Sequence, residues 1–388
     1  MNQIISPVKK VAGCLKMPGD KSISHRALMI AGVAEGVTTI ENLAEGADVK
    51  STMTCLTNLG VKIKKNKNQP LVYGKGLRGF LKPRKILNVG NSGTTIRLLT
   101  GLLAGQPFTS QITGDDSIRR RPMSRIVVPL KKMGADIQAN MNEYAPLTIK
   151  GGALKAIHYK LPVASAQVKS CLLLAGLFAN GTTVIYEPFP TRDHTERMLQ
   201  NFGAEIDKES LKVSVLGPAR LKAQKVFVPG DLSSAAFFIA AALLIKGSEL
   251  KIENVGMNPT RKAFLSILSE MGAKMDILNF TNFNNEFMAD IYVQYSKLKG
   301  FKIKSNIIPQ IIDEIPIFAL LATQARGTTV IKGATELRYK ESDRLKAISS
   351  NLNKMGAQVQ ETEDGLLIQG PVKLQHAELD SFGDHRMA

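Results

Sequence analysis

Apolar and polar positions follow one another along this chain in a unit that occurs five times. Each copy opens with a small polar cluster and continues into an apolar run of helical length, as at Asn91 before residues 96–103 and at Ser165 before residues 168–178. A glycine and a β-branched run then predict a turn and a strand, as in residues 181–185. A second helical pattern and a last strand follow. We therefore predict a repeat of helix, strand, helix and strand, with a short strand entering it.

The end of each copy is marked by an apolar residue, a glycine and a small residue. Glycine at this place is typical of a helix that ends in the left-handed region. The openings begin at Lys21, Asn91, Ser165, Asp231 and Asp313, and the closing glycines are Gly60, Gly134, Gly203, Gly272 and Gly356. A sixth opening lies at residues 384–388, so we expect the sixth copy to lack roughly 35 to 40 residues.

The repeat predicts an α/β fold with two lobes. Its period is too long for a helical solenoid, and its many strands require sheets that helices cover on one face. A chain of 388 residues is too large for one core, so we expect three copies in each lobe. The fourth copy begins near Gly230, which indicates a boundary at residues 225–230.

Composition adds few constraints. Hydrophobic residues make up 44% of the chain, which is enough for a globular core. We find neither an apolar run of membrane-spanning length nor a leader pattern at the start, and we expect a cytoplasmic protein. Cys14, Cys55 and Cys171 lack the spacing of metal ligands and have apolar neighbours, so we expect buried free thiols.

The formal net charge of +18 has two interpretations, a solvated basic surface or the attraction of anions. Cations at the helix openings favour the second. Lys21 and Arg26 flank the first helix start, where free N–H groups and the positive end of the helix dipole already attract phosphate. Any one such opening is more often only a helix cap. Similar openings in successive copies make an anion site more plausible.

Candidate acids and bases lie in the fifth copy. Asp313 and Glu314 begin an apolar helix, and residues 340–344, Lys-Glu-Ser-Asp-Arg, begin the next one. These charges are either plain surface ion pairs or a base held near a bound anion. The residues alone leave both interpretations open.

Five motifs together closely resemble the 5-enolpyruvylshikimate-3-phosphate synthase family. They follow the family's order and spacing from about Lys16 to the last residue. Ser-Ala-Gln at 165–167 is similar to one branch of that family. The five motifs are Pro-Gly-Asp-Lys-Ser-Ile-Ser-His-Arg at 18–26, Gly-Asn-Ser-Gly-Thr at 90–94, Arg-Pro-Met at 121–123, Lys-Glu-Ser-Asp-Arg at 340–344 and Gly-Asp-His-Arg-Met-Ala at 383–388.

The resemblance implies the enolpyruvyl transferase inverse-barrel fold, with two lobes of three βαβαββ repeats each. It implies a lobe of three complete repeats at residues 18–227. Residues 1–17 plus 228–388 would form a discontinuous lobe with two complete repeats and the start of a third. In the family the remaining stretch completes this lobe and supplies a further lysine for phosphoenolpyruvate, so the resemblance implies a C-terminally shortened chain.

The resemblance also implies a transferase of the shikimate pathway, which leads to chorismate and the aromatic amino acids. Its reaction moves the enolpyruvyl group of phosphoenolpyruvate to the 5-hydroxyl of shikimate 3-phosphate and releases phosphate, with no cofactor and no metal. Both substrates are polyanions, so fixed cations are needed to hold them together. We expect these two small molecules as partners, a monomer, and no binding of nucleic acid or membrane.

Residue roles follow from the resemblance at matching positions. The implied catalytic residues are Asp313 as the base for the 5-hydroxyl, Glu341 for proton transfer at C3 and Lys21 as general acid. Shikimate 3-phosphate would be bound by Lys21, Ser22, Arg26, Ser165, Gln167, Arg192, Asp313 and Lys340. Phosphoenolpyruvate would be bound by Lys21, Asn91, Gly93, Arg121, Gln167, Arg344 and Arg386.

Two alternatives remain open from the sequence. An enolpyruvyl transferase acting on UDP-N-acetylglucosamine shares the repeat fold, but it relies on a loop cysteine and a Lys-Asn opening, whereas here Ser22 follows Lys21. A non-catalytic basic protein on the same scaffold would explain the charge. Intact Asp313, Glu341 and Arg344 disfavour that second alternative.

Overall fold

Five four-stranded sheets with one strand order form the β structure of the computed structural model, which describes residues 3–66 and 69–388. The strands are β1 (Ala12–Lys16), β2 (Glu35–Glu41), β3 (Lys62–Asn66), β4 (Gln69–Lys75), β5 (Leu87–Asn88), β6 (Thr109–Thr113), β7 (Asp136–Asn140), β8 (Tyr144–Lys150), β9 (His158–Lys160), β10 (Gly181–Tyr186), β11 (Ile206–Glu209), β12 (Lys212–Gly217), β13 (Lys225–Phe227), β14 (Glu249–Gly256), β15 (Lys274–Phe283), β16 (Glu286–Gln294), β17 (Lys302–Ile303), β18 (Gly327–Ile331), β19 (Gln358–Thr362) and β20 (Gly365–Gly370).

The sheets repeat one pairing scheme. Their strand orders are β13-β2-β4-β3, β5-β6-β8-β7, β9-β10-β12-β11, β1-β14-β16-β15 and β17-β18-β20-β19. The first two strands of each order are parallel, and the second and third are antiparallel. The predicted α/β class and its repeat are confirmed over these five copies.

Helices connect the strands within each copy. They are α1 (Lys21–Val33), α2 (Ala47–Asn58), α3 (Gly93–Ala104), α4 (Asp116–Arg120), α5 (Ser124–Lys132), α6 (Ala166–Gly176), α7 (His194–Asn201), α8 (Leu232–Leu244), α9 (Ala263–Glu270), α10 (Ile308–Ile311), α11 (Ile315–Gln324) and α12 (Arg344–Lys354), with 3-10 turns at Ser305–Ile307 and Thr335–Tyr339. The long first helix of a copy, as in α3 and α11, is buried over most of its length, and most of its residues are apolar or small.

The chain divides into two compact units, each with its own hydrophobic core. One unit, called here the 18–229 unit, comprises Pro18–Pro229 and Asn282–Glu286. The other, the 230–388 unit, comprises Met1–Met17, Gly230–Thr281 and Phe287–Ala388, and its first two residues lie outside the described part of the chain. Strand β1 belongs to the 230–388 unit although it lies far from it in sequence, since Ala12 pairs with Glu249.

The closing glycines all adopt the left-handed backbone that the sequence predicts. Their φ angles lie between +84° at Gly60 and +93° at Gly203. In each copy the next residue donates its N–H to a carbonyl five positions earlier, as Ala204 does to Leu199 at 2.9 Å. This arrangement, a Schellman motif, satisfies carbonyl groups at the end of the helix and directs the chain into the following strand.

The expectation of three buried thiols is wrong for Cys14. Cys55 and Cys171 are buried within their core, whereas Cys14 is exposed. Cys14 lies in β1, and β1 forms one edge of its sheet. Apolar neighbours in sequence do not ensure burial on an edge strand, which has a neighbour on one side only.

Within the described ranges, no single helix has the length and apolar character to cross a membrane. One bent pair, Ser305–Ile311 with Ile315–Gln324, meets both criteria when its helices are taken together, and its axis bends by 114°.

Gly203→Ala should lower the free energy of unfolding by about 1–2 kcal/mol, because an L side chain disfavours a φ of +93°. Space is not the cause, since an added Cβ would meet only the Arg220 carbonyl oxygen at 3.9 Å. Urea unfolding followed by circular dichroism measures the difference. Gly203→Asn should lower the free energy of unfolding by less than Gly203→Ala does, because asparagine tolerates a positive φ better than alanine.

Gly152→Ala is the matched control. An added Cβ there has nothing within 4 Å, and its φ is not positive, so its effect should stay within about 0.5 kcal/mol. Equal losses at Gly152 and Gly203 would contradict the backbone argument.

Candidate active site

The sequence-predicted site residues fall into two groups, one in each unit. The helix-start group of the 18–229 unit consists of Lys21, Ser22, Arg26, Asn91, Gly93, Arg121, Ser165, Gln167 and Arg192. The Arg344 cluster of the 230–388 unit consists of Asp313, Lys340, Glu341, Arg344 and Arg386.

The start of α3 brings two guanidinium groups against one glycine. Ser92 caps the helix by accepting a hydrogen bond from the Thr95 N–H. A Cβ on Gly93 would lie 2.8 Å from Nη1 of Arg97 and 3.0 Å from Nη1 of Arg121. Glycine therefore allows both cations to approach the free N–H groups of the helix start, which is the arrangement an anion site requires.

Arg121 is held in place by Asn91. Its Nη2 donates to Asn91 Oδ1 at 2.7 Å and to Ser117 Oγ at 2.9 Å. The side chain is buried although it carries a charge, so its orientation is fixed by these partners.

Gln167 joins the openings of the second and third copies. Its Oε1 accepts from Arg97 Nη1 at 3.0 Å, and its Nε2 donates to Thr94 Oγ1 at 3.1 Å. Ser165 caps the same helix, α6, by accepting from the Val168 N–H at 3.4 Å. Arg97 was not among the site residues predicted from the sequence, although its place one helical turn after Gly93 is a usable signal.

A buried chain of hydrogen bonds joins the first opening to the second. His25 Nδ1 lies 2.7 Å from Thr52 Oγ1, and Thr52 Oγ1 lies 2.7 Å from Thr95 Oγ1. Thr95 Oγ1 donates to Ser92 Oγ, the cap of α3, at 2.6 Å. Lys21, four residues before His25, forms an ion pair with Asp48 at 3.2 Å.

Arg26 links the first opening to the third. Its Nε donates to Thr195 Oγ1 at 2.6 Å, its Nη2 to Ser170 Oγ at 2.9 Å and its Nη1 to the Ser22 carbonyl at 2.9 Å. Burial lowers the pKa of Arg26 to about 10, so it remains a cation at neutral pH. Arg192 is half-buried in the segment between β10 and α7.

The Arg344 cluster surrounds one buried guanidinium with three carboxylates. Arg344 Nη1 lies 3.3 Å from Asp313 Oδ1, and its Nη2 lies 2.7 Å from Glu341 Oε2. Its Nε donates to Asp384 Oδ2 at 2.8 Å. Lys340 lies 3.8 Å from Asp313, and the Arg386 N–H donates to Asp384 Oδ1 at 2.9 Å.

Asp384 was not assigned a role from the sequence. It is buried and accepts from both Nε and Nη2 of Arg344. Burial raises the pKa of Asp384, but the hydrogen bond and charge of Arg344 outweigh that and lower it. The pKa of Arg344 is raised correspondingly, because its carboxylate partners outweigh the effect of burial. Asp384 therefore anchors Arg344, which leaves Asp313 and Glu341 as the more accessible carboxylates of the cluster.

Across residues 3–66 and 69–388, we find no group of three or more His, Cys, Asp and Glu side chains arranged to hold a metal ion.

Comparison with known proteins gives one family. The family model described as EPSP synthase (3-phosphoshikimate 1-carboxyvinyltransferase) matches residues 5–388. A protein named 3-phosphoshikimate 1-carboxyvinyltransferase from Thermoanaerobacter sp. (strain X514) is 52% identical over 376 residues, which cover 97% of this chain and 89% of that protein. A protein of the same name from Bacillus licheniformis is 51% identical over 98% of this chain and 89% of its own length.

Solved structures agree in fold. The EPSP synthase of Acinetobacter baumannii has a TM-score of 0.88 and 42% identity, covering 99% of this chain and 89% of that one. The enolpyruvyl transferase NikO of Streptomyces tendae has a TM-score of 0.72, with coverage of 94% and 83%. At 15% identity NikO shares the fold alone.

The stability of the protein should respond to acid through His25. Burial and the neighbouring Lys21 charge lower the pKa of His25 to about 3, against 6.5 in the unfolded chain. As pH falls from 6.5 toward 3, the unfolded chain binds a proton that the folded chain does not. The free energy of unfolding should then lose up to about 1.4 kcal/mol per pH unit from this residue, and nothing from it above pH 6.5.

His25→Gln removes this titration while keeping a group that can hydrogen-bond Thr52. Urea unfolding of both proteins at pH 7.5, 6 and 5 gives the test. The difference in the free energy of unfolding between the wild type and His25→Gln should become smaller as the pH falls below 6.5. A constant difference over that range would show that His25 does not titrate as its burial implies.

Proposed function

The chain belongs to the EPSP synthase family, and we propose that it transfers the enolpyruvyl group of phosphoenolpyruvate to the 5-hydroxyl of shikimate 3-phosphate. The products are 5-enolpyruvylshikimate 3-phosphate and phosphate. This step belongs to the shikimate pathway, which leads to chorismate and the aromatic amino acids. The chain therefore acts as a transferase on two small anionic substrates.

The observation that carries this proposal in the structure is the surrounding of Arg344. One guanidinium lies within 3.3 Å of both acid/base candidates, Asp313 and Glu341. Such a contact holds two carboxylates in a fixed orientation beside a positive charge, which supports proton transfer close to a bound anion. A structural ion pair at the surface would not bury the arginine to 1% exposure.

The helix-start group supplies the binding cations. Lys21, Ser22, Arg26, Ser165, Gln167 and Arg192 bind shikimate 3-phosphate in this proposal, with Asp313 and Lys340. Phosphoenolpyruvate is bound by Lys21, Asn91, Gly93, Arg121, Gln167, Arg344 and Arg386. The approach of Arg97 and Arg121 to Gly93 supports an anion at the start of α3.

The chemistry proceeds by addition and elimination. Asp313 accepts the proton of the 5-hydroxyl as the hydroxyl oxygen adds to C2 of phosphoenolpyruvate. In the same step C3 gains a proton. Phosphate then leaves C2 as a proton leaves C3 again, which regenerates the double bond. Glu341 carries the proton at C3, and Lys21 acts as general acid and stabilises the developing negative charge.

We further propose that the protein acts as a monomer in the cytoplasm, without cofactor, metal or nucleic acid. The two alternatives from the sequence are not favoured. Curated relatives that are about half identical carry the name 3-phosphoshikimate 1-carboxyvinyltransferase. The UDP-N-acetylglucosamine reaction and a purely binding role have no such support.

Phosphate release from phosphoenolpyruvate should require shikimate 3-phosphate. We expect release on mixing this chain with both substrates and none with phosphoenolpyruvate alone, measured by a coupled phosphate assay. UDP-N-acetylglucosamine as the alternative acceptor provides the control. Release with that acceptor instead, or none with either from a folded sample, would refute the proposal.

Asp313→Asn should lower kcat by about 10²–10⁴-fold while the KM values change by less than about threefold, because the amide keeps the shape and loses the base. Steady-state kinetics with each substrate varied in turn measures both parameters. Asp276→Asn makes the same chemical change at an exposed position of the same unit and should leave kcat unaltered. Comparable losses in kcat and in binding would argue against a mainly catalytic role for Asp313.

A further inference from the structure

A fully buried lysine in the 18–229 unit takes no part in the chemistry proposed above. Lys169 lies in the first turn of α6 and is 0% exposed. Its ammonium nitrogen lies 2.9 Å from Glu187 Oε2 and 2.7 Å from Glu196 Oε1, and both carboxylates are also buried. Three charged side chains thus meet inside a core that is otherwise largely apolar.

These contacts hold one short segment at several points. Glu187 is the first residue after β10, and Glu196 lies in the first turn of α7. Between them, the Thr191 carbonyl accepts from Lys169 Nζ at 3.5 Å, and the Thr191 hydroxyl donates to Glu187 Oε1. Lys169 therefore contacts the segment 187–193, which connects β10 to α7, at its first residue and at Thr191 next to Arg192. It also contacts Glu196, just beyond the end of that segment.

The burial of this lysine requires an explanation other than stability. A buried ion pair is often no more stabilising than apolar side chains of the same volume, although removing one partner alone is strongly destabilising. Such a pair can instead fix geometry, because an ammonium that contacts two carboxylates restricts the positions of the segments that carry them. Both carboxylates raise the pKa of Lys169 against the effect of burial, so the ammonium stays charged.

Arg26 completes the charge balance. This buried arginine donates to Ser170 Oγ, next in sequence to Lys169, and to Thr195 Oγ1, next in sequence to Glu196. The Glu196 charge supports its positive form. The two buried cations and two buried carboxylates therefore compensate one another.

We propose that Lys169 is a positioning residue for Arg192: through Glu187, Glu196 and the Thr191 carbonyl it fixes the segment that presents the Arg192 guanidinium. The same lysine lies one turn after Ser165 on α6, and its N–H donates to the Ser165 carbonyl at 3.0 Å. It thereby sets Arg192 relative to Ser165 and Gln167. This inference rests on the proposed function in one respect, that Arg192 binds the phosphate of shikimate 3-phosphate.

The first test does not depend on activity. Lys169→Met keeps the length of the side chain and removes its charge. Hydrogen exchange of peptides that cover residues 187–193 should become at least about tenfold faster, whereas peptides from α3 should keep their protection. Ile149→Ala, a buried change in the second sheet, is the control for general loss of stability and should not affect residues 187–193 selectively. Unchanged protection of this segment in Lys169→Met would overturn the proposal.

The second test is kinetic. Lys169→Met should raise KM for shikimate 3-phosphate about tenfold and leave KM for phosphoenolpyruvate within about twofold. In an Arg192→Ala background the same substitution should change KM by less than about twofold, because the residue through which it acts is gone. A tenfold effect that persists in that background would also overturn the proposal.

A second variant covers the case in which Lys169→Met does not fold. Glu187→Gln retains the pair between Lys169 and Glu196 and removes one carboxylate charge, so it should show the same pattern with smaller changes. If the wild type itself released no phosphate from phosphoenolpyruvate in the presence of shikimate 3-phosphate, the proposed function would be wrong. The hydrogen-exchange result would then decide alone whether Lys169 positions the segment.

Discussion

The close approach of α3 to α6 is the contact on which the helix-start group depends. It is possible only because Gly101 has no side chain, since a Cβ there would lie 2.3 Å from the Cys171 carbonyl oxygen. A Cβ on Gly105, one turn later, would lie only 2.1 Å from the Phe178 ring. These two glycines allow the helices to pack with their first residues in hydrogen-bonding contact. Gln167 can then reach both Thr94 and Arg97, so a packing constraint in the core positions the polar groups at the helix starts.

Several cations of the candidate site are paired with carboxylates of their own unit. Asp313, Glu341 and Asp384 contact Arg344, Asp313 also lies near Lys340, and Asp48 accompanies Lys21. Such pairing reduces the cost of holding charges in partly buried positions and fixes their directions before a ligand arrives. The affinity for anionic substrates should therefore depend less on the net charge of the whole chain than on the placement of a few arginines.

Much of the repeat could be predicted because its signals are local. A glycine after an apolar helix end, a polar cap and a β-branched run each depend on backbone conformation within a few residues, and all five closing glycines conform. The helix starts that carry the candidate site residues were predictable for the same reason. The contacts of Asp384 and Lys169 were not predictable, since their partners lie 40 and 18–27 positions away in the chain. The exposed Cys14 shows the same limit, because only the sheet order places it on an edge.

The pairing of β1 with β14 has a consequence for synthesis on the ribosome. Residue 12 finds its partner only when residue 249 has been made, whereas β13 can pair with β2, and most of the 18–229 unit can assemble, once residue 229 has emerged. At typical translation rates the first strand waits on the order of 10 to 50 s, outside any sheet, while the unit that follows it in the chain folds. The nascent chain thus carries an unpaired strand while the residues from β1 to β14 are made, and because β1 has only five residues it offers a short edge for wrong pairing.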